Sequence, residues 1–372
     1  MKIPITWPQR HIYRLESFPC GPRDVKIGVV LASVLLSTRE GIEMKPLNTS
    51  RRAFLRNTGV LTTSIVLPRR IMASLGRIKT PIKLGMIADL HQDVMHDGPE
   101  RLKAFLDAMK KEKPDALIQL GDFAYPTKKN ETVTKAFETA HPRTFHVLGN
   151  HEIDGGHSFD EVAKLWGMKG RYYTETVNGL NLVVLDGNEK PKNHKGGYPA
   201  HIGETQLAWL AEQLKALPGP ILVICHQPLA GPSAIDNAPA VQALLDSAAD
   251  KVLLAVNGHT HIDHVDRAGK LSYLHVNSAS YKWVGGSYRN KSYPADIHAK
   301  FRWVEYTCPY RDSLFTTLTI DPANARITVQ GRDSKWVGKS PAELGIADKP
   351  NLTDGKEIVP RIRSRVIQSI NQ

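Results

Sequence analysis

The 372-residue sequence contains little cysteine and no long apolar run. Its three cysteines, Cys20, Cys225 and Cys308, are too few and too scattered for a disulfide framework, and we interpret Cys225 as a small core residue. No stretch approaches the roughly 20 apolar residues that a membrane-spanning helix needs. Internal repeats and low-complexity tracts are also missing. With 41% hydrophobic residues, the chain is instead expected to form a globular core.

Acidic residues are fewer than basic ones, and the imbalance is confined to one end of the chain. The formal net charge is +12. Residues 1–78 contain 13 Lys and Arg against 4 Asp and Glu, a net charge of +9, whereas the remainder has 36 against 33, a net charge of +3. The body of the protein therefore gives no electrostatic argument for a nucleic-acid partner.

The basic N-terminus has the pattern of an export signal. The sequence Arg-Arg-Ala-Phe-Leu-Arg at 51–56 is followed by a mildly apolar run at 59–67 and by small residues near Ala73. This order resembles a twin-arginine signal, so we predict that residues 44–78 direct the protein through the export machinery of a bacterium. The expected destination is the periplasm or the cell exterior. An ordinary basic helix start is the alternative interpretation of the arginine pair.

The remaining boundaries follow from the position of this signal. Residues 1–43 form a doubtful prefix, because Met44 lies just upstream of the signal and is the expected start of translation. We assign residues 79–335 to one catalytic domain and residues 336–372 to a C-terminal tail on its surface.

Strand-like and helix-like segments alternate along the predicted domain. The apolar run Ile82–Ala88 is followed by a helix-spaced segment at 100–113 and by a second apolar run, Ala116–Leu120. The same order recurs later, where an amphipathic segment at 204–217 precedes an apolar run at 221–224. This βαβ pattern predicts an α/β fold with two mixed sheets flanked by helices, a four-layer αββα sandwich.

Five short polar clusters follow apolar runs, each where a strand is expected to end. They are Asp-Leu-His at 89–91, Gly-Asp at 121–122, Gly-Asn-His-Glu at 149–152, Cys-His at 225–226 and Gly-His-Thr-His at 258–261. Strand ends at one edge of a sheet lie close together, so these clusters are expected to converge. Two carboxylates, four imidazoles and one amide suit transition metals better than Ca or Mg, which prefer oxygen alone. The predicted ligands are Asp89, His91, Asp122, Asn150, His226, His259 and His261.

The five clusters, in this order, resemble the signature of the calcineurin-like metallophosphoesterases over roughly residues 82–330. The resemblance implies a dinuclear centre of two divalent or mixed-valence ions of Mn, Fe or Zn. One ion would be held by Asp89, His91 and His261, the other by Asn150, His226 and His259, with Asp122 bridging the two. The resemblance also implies that His151 is an acid acting on the leaving group and that Glu152 lies behind the ligands.

The expected activity is hydrolysis of small phosphate mono- or diesters. Two metals about 3.5 to 4 Å apart can bind phosphate and lower the pKa of a bridging water, giving a hydroxide that attacks phosphorus. His151 and Asp122 are the predicted catalytic residues, His151 because it would assist departure of the alcohol.

Two alternatives remain open at this point. The protein could be a cyclic-nucleotide or glycerophosphodiester phosphodiesterase, or a non-catalytic phosphate- or partner-binding protein on the same scaffold. The loops at 186–203 and 282–310 would determine substrate selectivity, but they contain no sequence motif that predicts a substrate. We expect the aromatic-rich segment at 282–309 to be a long loop over the site. Tyr125 stands where the related purple acid phosphatases supply a phenolate to iron, but the presence of His91 favours packing for Tyr125.

Overall fold

Two large mixed sheets make up the body of the protein in the computed structural model, which describes residues 63–67, 74–346, 352 and 355–369. The first sheet has, in order across it, β1 (Thr63–Leu67), β17 (Arg365–Ser369), β14 (Arg326–Val329), β13 (Thr316–Asp321), β2 (Ile82–Ile87), β3 (Ala116–Gln119) and β4 (Thr144–His146). The second has β5 (Tyr173–Val177), β6 (Leu180–Leu185), β7 (Ile221–Cys225), β8 (Val252–Asn257), β10 (Leu271–His275) and β9 (His264–Ala268).

Each sheet contains a set of adjacent parallel strands, at one end of the first sheet and in the middle of the second. In the first sheet β2, β3 and β4 are parallel to one another, and in the second β6, β7, β8 and β10 are. Antiparallel neighbours flank both sets, including β13 beside β2 and β5 beside β6. Two short ladders complete the strands: β11 (Tyr281–Trp283) pairs with β12 (Thr307–Pro309), and β15 (Arg332–Asp333) with β16 (Arg361–Ile362).

Side chains alternate between the two faces of each sheet, and this alternation builds four layers. In β3, Ala116 and Ile118 join the core between the sheets, whereas Leu117 packs against helices on the outer face. In β7, Leu222 faces the shared core and Val223 the helices outside the second sheet. The αββα sandwich predicted from the order of segments is confirmed.

In the described parts of the chain, five α-helices cover the outer faces of the sheets, and a short sixth helix lies between β11 and β12. They are α1 (Gly98–Glu112), α2 (Glu131–Glu138), α3 (Phe159–Trp166), α4 (Glu204–Ala216), α5 (Ala238–Ser247) and α6 (Ala295–Lys300). In α1 the buried residues Leu102, Phe105 and Met109 recur at helical spacing and pack beneath the first sheet. A capping box fixes the start of α3, where the Ser158 hydroxyl accepts from the Glu161 backbone N–H. None of the helices in the described parts of the chain has the length and apolar character needed to cross a bilayer.

The segment at 282–309 is more ordered than the long loop expected from its sequence. It begins in β11, continues through α6 and ends in β12, and β11 and β12 pair in antiparallel register. The expectation of a loop was wrong because three-residue strands are too short to show a period.

Two paired strands near the ends of the chain, β1 and β17, were not predicted from the sequence. The interpretation of residues 336–372 as a surface tail did not foresee β17, which pairs with β14 inside the first sheet. On its other side β17 pairs in parallel with β1, a strand that falls within the predicted signal. Residues 1–43 and most of the predicted signal lie outside the described residues. The domain boundaries therefore stay predictions.

Candidate metal centre

The carboxyl ends of five parallel strands position the predicted ligands. Asp89 and His91 follow β2, Asp122 follows β3, and Asn150 follows β4. From the second sheet, His226 comes directly after β7, and the pair His259 and His261 follows β8. Both sheets thus deliver polar side chains to one edge, as expected for ligand sites in parallel sheets.

Asp89, His91 and His261 form one group of candidate metal ligands, with the donor atoms within 4.8 Å of one another. The Nε2 atom of His261 lies 3.2 Å from Asp89 Oδ1 and 3.1 Å from His91 Nε2. All three residues are buried. This is the set that the family resemblance implied for the first ion.

Asp122, His226 and His259 form a second group of the same kind. The Nε2 atom of His226 lies 3.2 Å from Asp122 Oδ2 and 3.2 Å from His259 Nδ1. Asp122 Oδ2 also lies 3.7 Å from His91 Nε2, so this carboxylate stands between the two groups. The arrangement places Asp122 where a bridging ligand is required.

Asn150 is the seventh predicted ligand, and its side-chain oxygen has no hydrogen-bond partner in the described residues. The residue is buried, and its Oδ1 atom has no hydrogen-bond donor. An unpaired buried carbonyl oxygen costs roughly 1–3 kcal/mol. A cation beside the second group would satisfy this atom.

Hydrogen bonds from outside the donor groups orient two of the imidazoles. The Nδ1–H of His226 donates to the Leu120 carbonyl at 2.8 Å, and that of His261 donates to the Tyr281 carbonyl at 2.7 Å. In the neutral ring, a proton on Nδ1 leaves the lone pair on Nε2, which in both residues points into the donor group. These contacts select the tautomer that a metal ligand needs.

The surroundings also keep two of the histidines neutral. Burial, reinforced by the neighbouring His151, holds the pKa of His91 well below its usual value. Burial and repulsion by His226 lower the pKa of His259 to about 4. His226 differs: although burial opposes protonation, the Asp122 carboxylate raises its pKa to about 10 in the ion-free protein. Metal binding would displace that proton.

Five of the predicted ligands have left-handed backbone conformations. The φ angles are +52° for Asp89, +50° for His91, +52° for Asp122, +66° for His259 and +50° for His261. Such conformations cost about 1–3 kcal/mol each in a residue with a side chain, and they persist only where the surroundings enforce them. Their concentration at one site indicates that the loops are shaped for the convergence of side chains rather than for stability.

Glu152 enforces the backbone conformation at one of these residues, Asp122. Its buried carboxylate accepts backbone hydrogen bonds from Gly149 at 2.7 Å, from Asp122 at 3.1 Å and from Phe123 at 2.5 Å. Burial and the nearby Asp122 raise the pKa of Glu152 to about 8. Glu152 thus ties together the loops after β3 and β4, behind the ligands where the resemblance placed it.

His151 lies at the open side of the donor groups, and two residues that sequence reasoning missed support it. Its ring meets the ring of His91 edge-on, with the centroids 4.6 Å apart. Its Nδ1 atom lies 3.1 Å from Asp154 Oδ2, and the Tyr198 hydroxyl donates to the same oxygen at 2.9 Å. The three-residue spacing of His151 and Asp154 was a signal for this contact, but nothing in the sequence points to Tyr198.

Tyr125 lies beside His151, outside the donor groups. The two rings are nearly parallel, with the centroids 6.4 Å apart. Burial, together with the carboxylates of Asp154 and Asp93, raises the pKa of Tyr125. The phenol is therefore protonated near neutral pH, and its predicted packing role is compatible with this geometry.

The chemistry of the donors fits two transition-metal ions. The described residues bring together six of the seven side chains predicted as ligands, all except Asn150, with mixed nitrogen and oxygen donors of the kind that Mn, Fe and Zn accept. Two carboxylates against two divalent ions would leave the centre positive, which suits an anionic phosphate.

Gly121→Ala is expected to disrupt this centre. The backbone φ of Gly121 is +97°, and a Cβ there would lie 2.3 Å from His226 Nδ1, so the imidazole would have to leave its bond to Leu120. We expect loss of about one metal ion per chain, measured by elemental analysis. Gly167→Ala is the matched control, because Gly167 also has positive φ (+60°) but no atom near the added methyl group. Equal metal content in the two variants would contradict the role given to Gly121.

Comparison with known proteins identifies the family. The calcineurin-like phosphoesterase family matches residues 82–263. No curated protein matches the chain. Among solved structures, a dimetal phosphatase from Danio rerio is 16% identical, with a TM-score of 0.48, over 69% of this chain and 98% of that chain. GAP50, described as the anchor in the inner membrane complex of Plasmodium, is 16% identical, with a TM-score of 0.47, over 74% of this chain and 90% of that chain.

These structural likenesses are too distant to bear on activity. The family match, by contrast, spans all five polar clusters in their expected order, from Asp89 to His261. Residues 82–263 of this chain are therefore identified as a region of the calcineurin-like phosphoesterase family.

Proposed function

We propose that the protein is an exported, metal-dependent hydrolase of phosphate mono- or diesters. The observation that carries the proposal is the position of Asp122 between two groups of candidate ligands, with His151 beside them. A site with only one group could hold a structural ion, whereas two adjacent groups with a carboxylate between them suit a dinuclear catalytic centre.

The chain contributes ligands for both ions. Asp89, His91 and His261 would hold one ion, Asn150, His226 and His259 the other, and Asp122 both. When bound, the ions would polarise the phosphate and lower the pKa of a water molecule.

His151 is the residue that would deliver a proton to the leaving oxygen. Because its Nδ1 atom faces Asp154, Nε2 is the atom left for the substrate. The Asp154 carboxylate, held in turn by the Tyr198 hydroxyl, fixes both the tautomer and the orientation of the ring. An acid so placed contributes about 10²- to 10⁴-fold when the leaving alcohol is a poor one.

A panel of substrates combined with metal analysis tests the proposal. Purified protein loaded with Mn, Fe or Zn would be assayed on phosphate monoesters, linear diesters and cyclic nucleotides. We expect two metal ions per chain and turnover in at least one class. Two bound ions without turnover of any ester would favour a phosphate-binding protein on the same scaffold.

Asp154→Asn is expected to lower kcat for alkyl phosphates about tenfold. Loss of a group that orients a functional histidine typically costs a factor of about 10 to 100 in activity. Metal content should not change, since Asp154 lies outside both groups of donors. Asp160→Asn, an exposed change in the first turn of α3, provides the control. A rise in KM without a fall in kcat would assign Asp154 to substrate binding instead.

Export is tested through the arginine pair. Replacing both Arg51 and Arg52 with Lys keeps the charge but removes the pair that resembles a twin-arginine signal. We expect the protein to accumulate in the cytoplasm of a twin-arginine-competent bacterium, as measured by fractionation. Replacing Arg69 and Arg70, a second arginine pair beyond the apolar run, is the control. Equal export of both variants would remove the signal from the proposal.

A further inference from the structure

Exposed large hydrophobic side chains in the described residues are few, and all are aromatic. They are Tyr198, Trp283 and Trp303, with 54%, 43% and 42% of their surface exposed. Exposing aromatic rings forgoes a large gain from burial, so a cluster of them indicates a binding surface.

Ring contacts connect two of these residues to the metal centre. The Tyr198 ring is 5.8 Å from the ring of His151. Trp283 belongs to β11, whose first residue, Tyr281, is buried and stacks on His91 at 4.9 Å. Tyr281 and Trp283 are 6.3 Å apart. Tyr281 therefore contacts both the candidate metal ligand His91 and the exposed indole of Trp283.

The indole at this position is held in place by its neighbours. Trp283 stacks on Tyr306 with the centroids 5.7 Å apart and the planes within 9°, and Tyr306 also contacts Trp303 at 5.2 Å. We call these three residues the aromatic cluster. The guanidinium groups of Arg289 and Arg302 lie over the rings of Tyr306 and Trp303. A preformed surface of this kind costs little entropy when a ligand binds.

The strand that carries Trp283 is fastened to the loop that carries the metal ligands. The Lys282 ammonium group donates to the Thr260 carbonyl at 2.9 Å, and Thr260 stands between His259 and His261. The aromatic cluster is thereby fixed in position relative to the metal centre.

We propose that the aromatic cluster binds a heteroaromatic ring in the alcohol portion of the substrate, which makes the substrate class nucleotides. This inference rests on the proposed phosphoesterase function. In a nucleotide the sugar separates the base from the phosphate, as Tyr281 separates Trp283 from His91. Base stacking on an aromatic side chain strengthens binding by about 5- to 150-fold and tolerates any base.

The composition of the surface favours a planar ligand over a membrane. Surfaces that enter the lipid interface combine aromatic with aliphatic side chains such as Leu. In the described part of this chain, no Leu, Ile, Met or Phe is among the exposed large hydrophobic residues. The rings also stack on one another instead of standing apart, which suits the addition of one more planar group.

The test compares a nucleotide with a phosphate ester that lacks a ring. The ratio of kcat/KM for adenosine 5′-monophosphate to that for glycerol phosphate would be measured in the wild type and in Trp283→Ala, Trp283→Phe and Trp209→Ala. We expect the ratio to fall about tenfold in Trp283→Ala, as loss of one stacked base predicts. Trp283→Phe keeps an aromatic ring and should retain most of the wild-type ratio. Trp209 lies on α4, packed on Tyr172, and its variant should match the wild type.

Binding of adenosine, which carries no phosphate, separates this inference from the proposed function. Quenching of tryptophan fluorescence by adenosine in the wild type, weakened in Trp283→Ala, would support the aromatic cluster even if no ester were hydrolysed. Hydrolysis of esters with the same ratio in all four proteins would overturn the inference and leave the proposed function standing. Loss of binding to anionic phospholipid vesicles in Trp283→Ala, without a change in the ratio, would assign the surface to membranes instead.

Discussion

Asp122→Asn is expected to lower kcat/KM for every phosphate ester by more than about 100-fold. Loss of a residue that only supports a metal ligand costs about 10- to 100-fold, and Asp122 stands between both groups of ligands. The substitution removes one of the two carboxylate charges that the two ions would share. It also alters the acceptor of the His151 backbone N–H, which donates to Asp122 Oδ1 at 2.8 Å.

Metal analysis and circular dichroism would separate loss of ions from loss of the fold. Asp122→Asn should bind fewer than two ions per chain and still give a folded spectrum, because the Asp122 side chain is not part of the hydrophobic core. Asp107→Asn, which removes an exposed carboxylate from α1, should behave as the wild type. Full metal content with wild-type activity in Asp122→Asn would exclude a bridging role.

Unlike Asp122→Asn, His151→Ala is expected to retain both metal ions and to lose turnover. Turnover of alkyl phosphates should fall about 10²- to 10⁴-fold, the usual contribution of a positioned acid. Aryl phosphates, whose alcohols leave without a proton, should be affected much less.

The comparison between the two ester classes is the decisive measurement for His151. His194→Ala is a suitable control, since the partly exposed His194 ring hydrogen-bonds to the Gly197 carbonyl of its own loop. An equal loss on alkyl and aryl esters would mean that His151 binds the phosphate or orders the site, rather than protonating the leaving group.

The sequence allowed the layers and the convergence of the polar clusters to be predicted because two signals coincided. Strand residues such as Leu222 and Val223 are apolar on both faces, which identifies buried parallel strands. A polar cluster such as Asp89-Leu90-His91 then marks the end of the strand. Since parallel strands end at one edge, convergence of the clusters followed from topology alone.

Other features depended on contacts that local patterns do not encode. The Tyr198 hydroxyl reaches Asp154 across 44 positions, and no spacing rule relates them. The left-handed backbone conformations of His91 and His261 could not be predicted from the sequence. In residues other than glycine, such conformations are imposed by the surroundings. The short strand β11 also escaped detection, since three residues cannot establish a period.

The pairing of β1 with β17 bears on how the protein would mature. Removal of an export signal near Ala73 would take away β1, which lies at the margin of the first sheet. The strand β17 would then present a row of free backbone donors and acceptors to solvent, a template onto which another chain can add. On this basis, precursor and processed protein would differ in their tendency to self-associate.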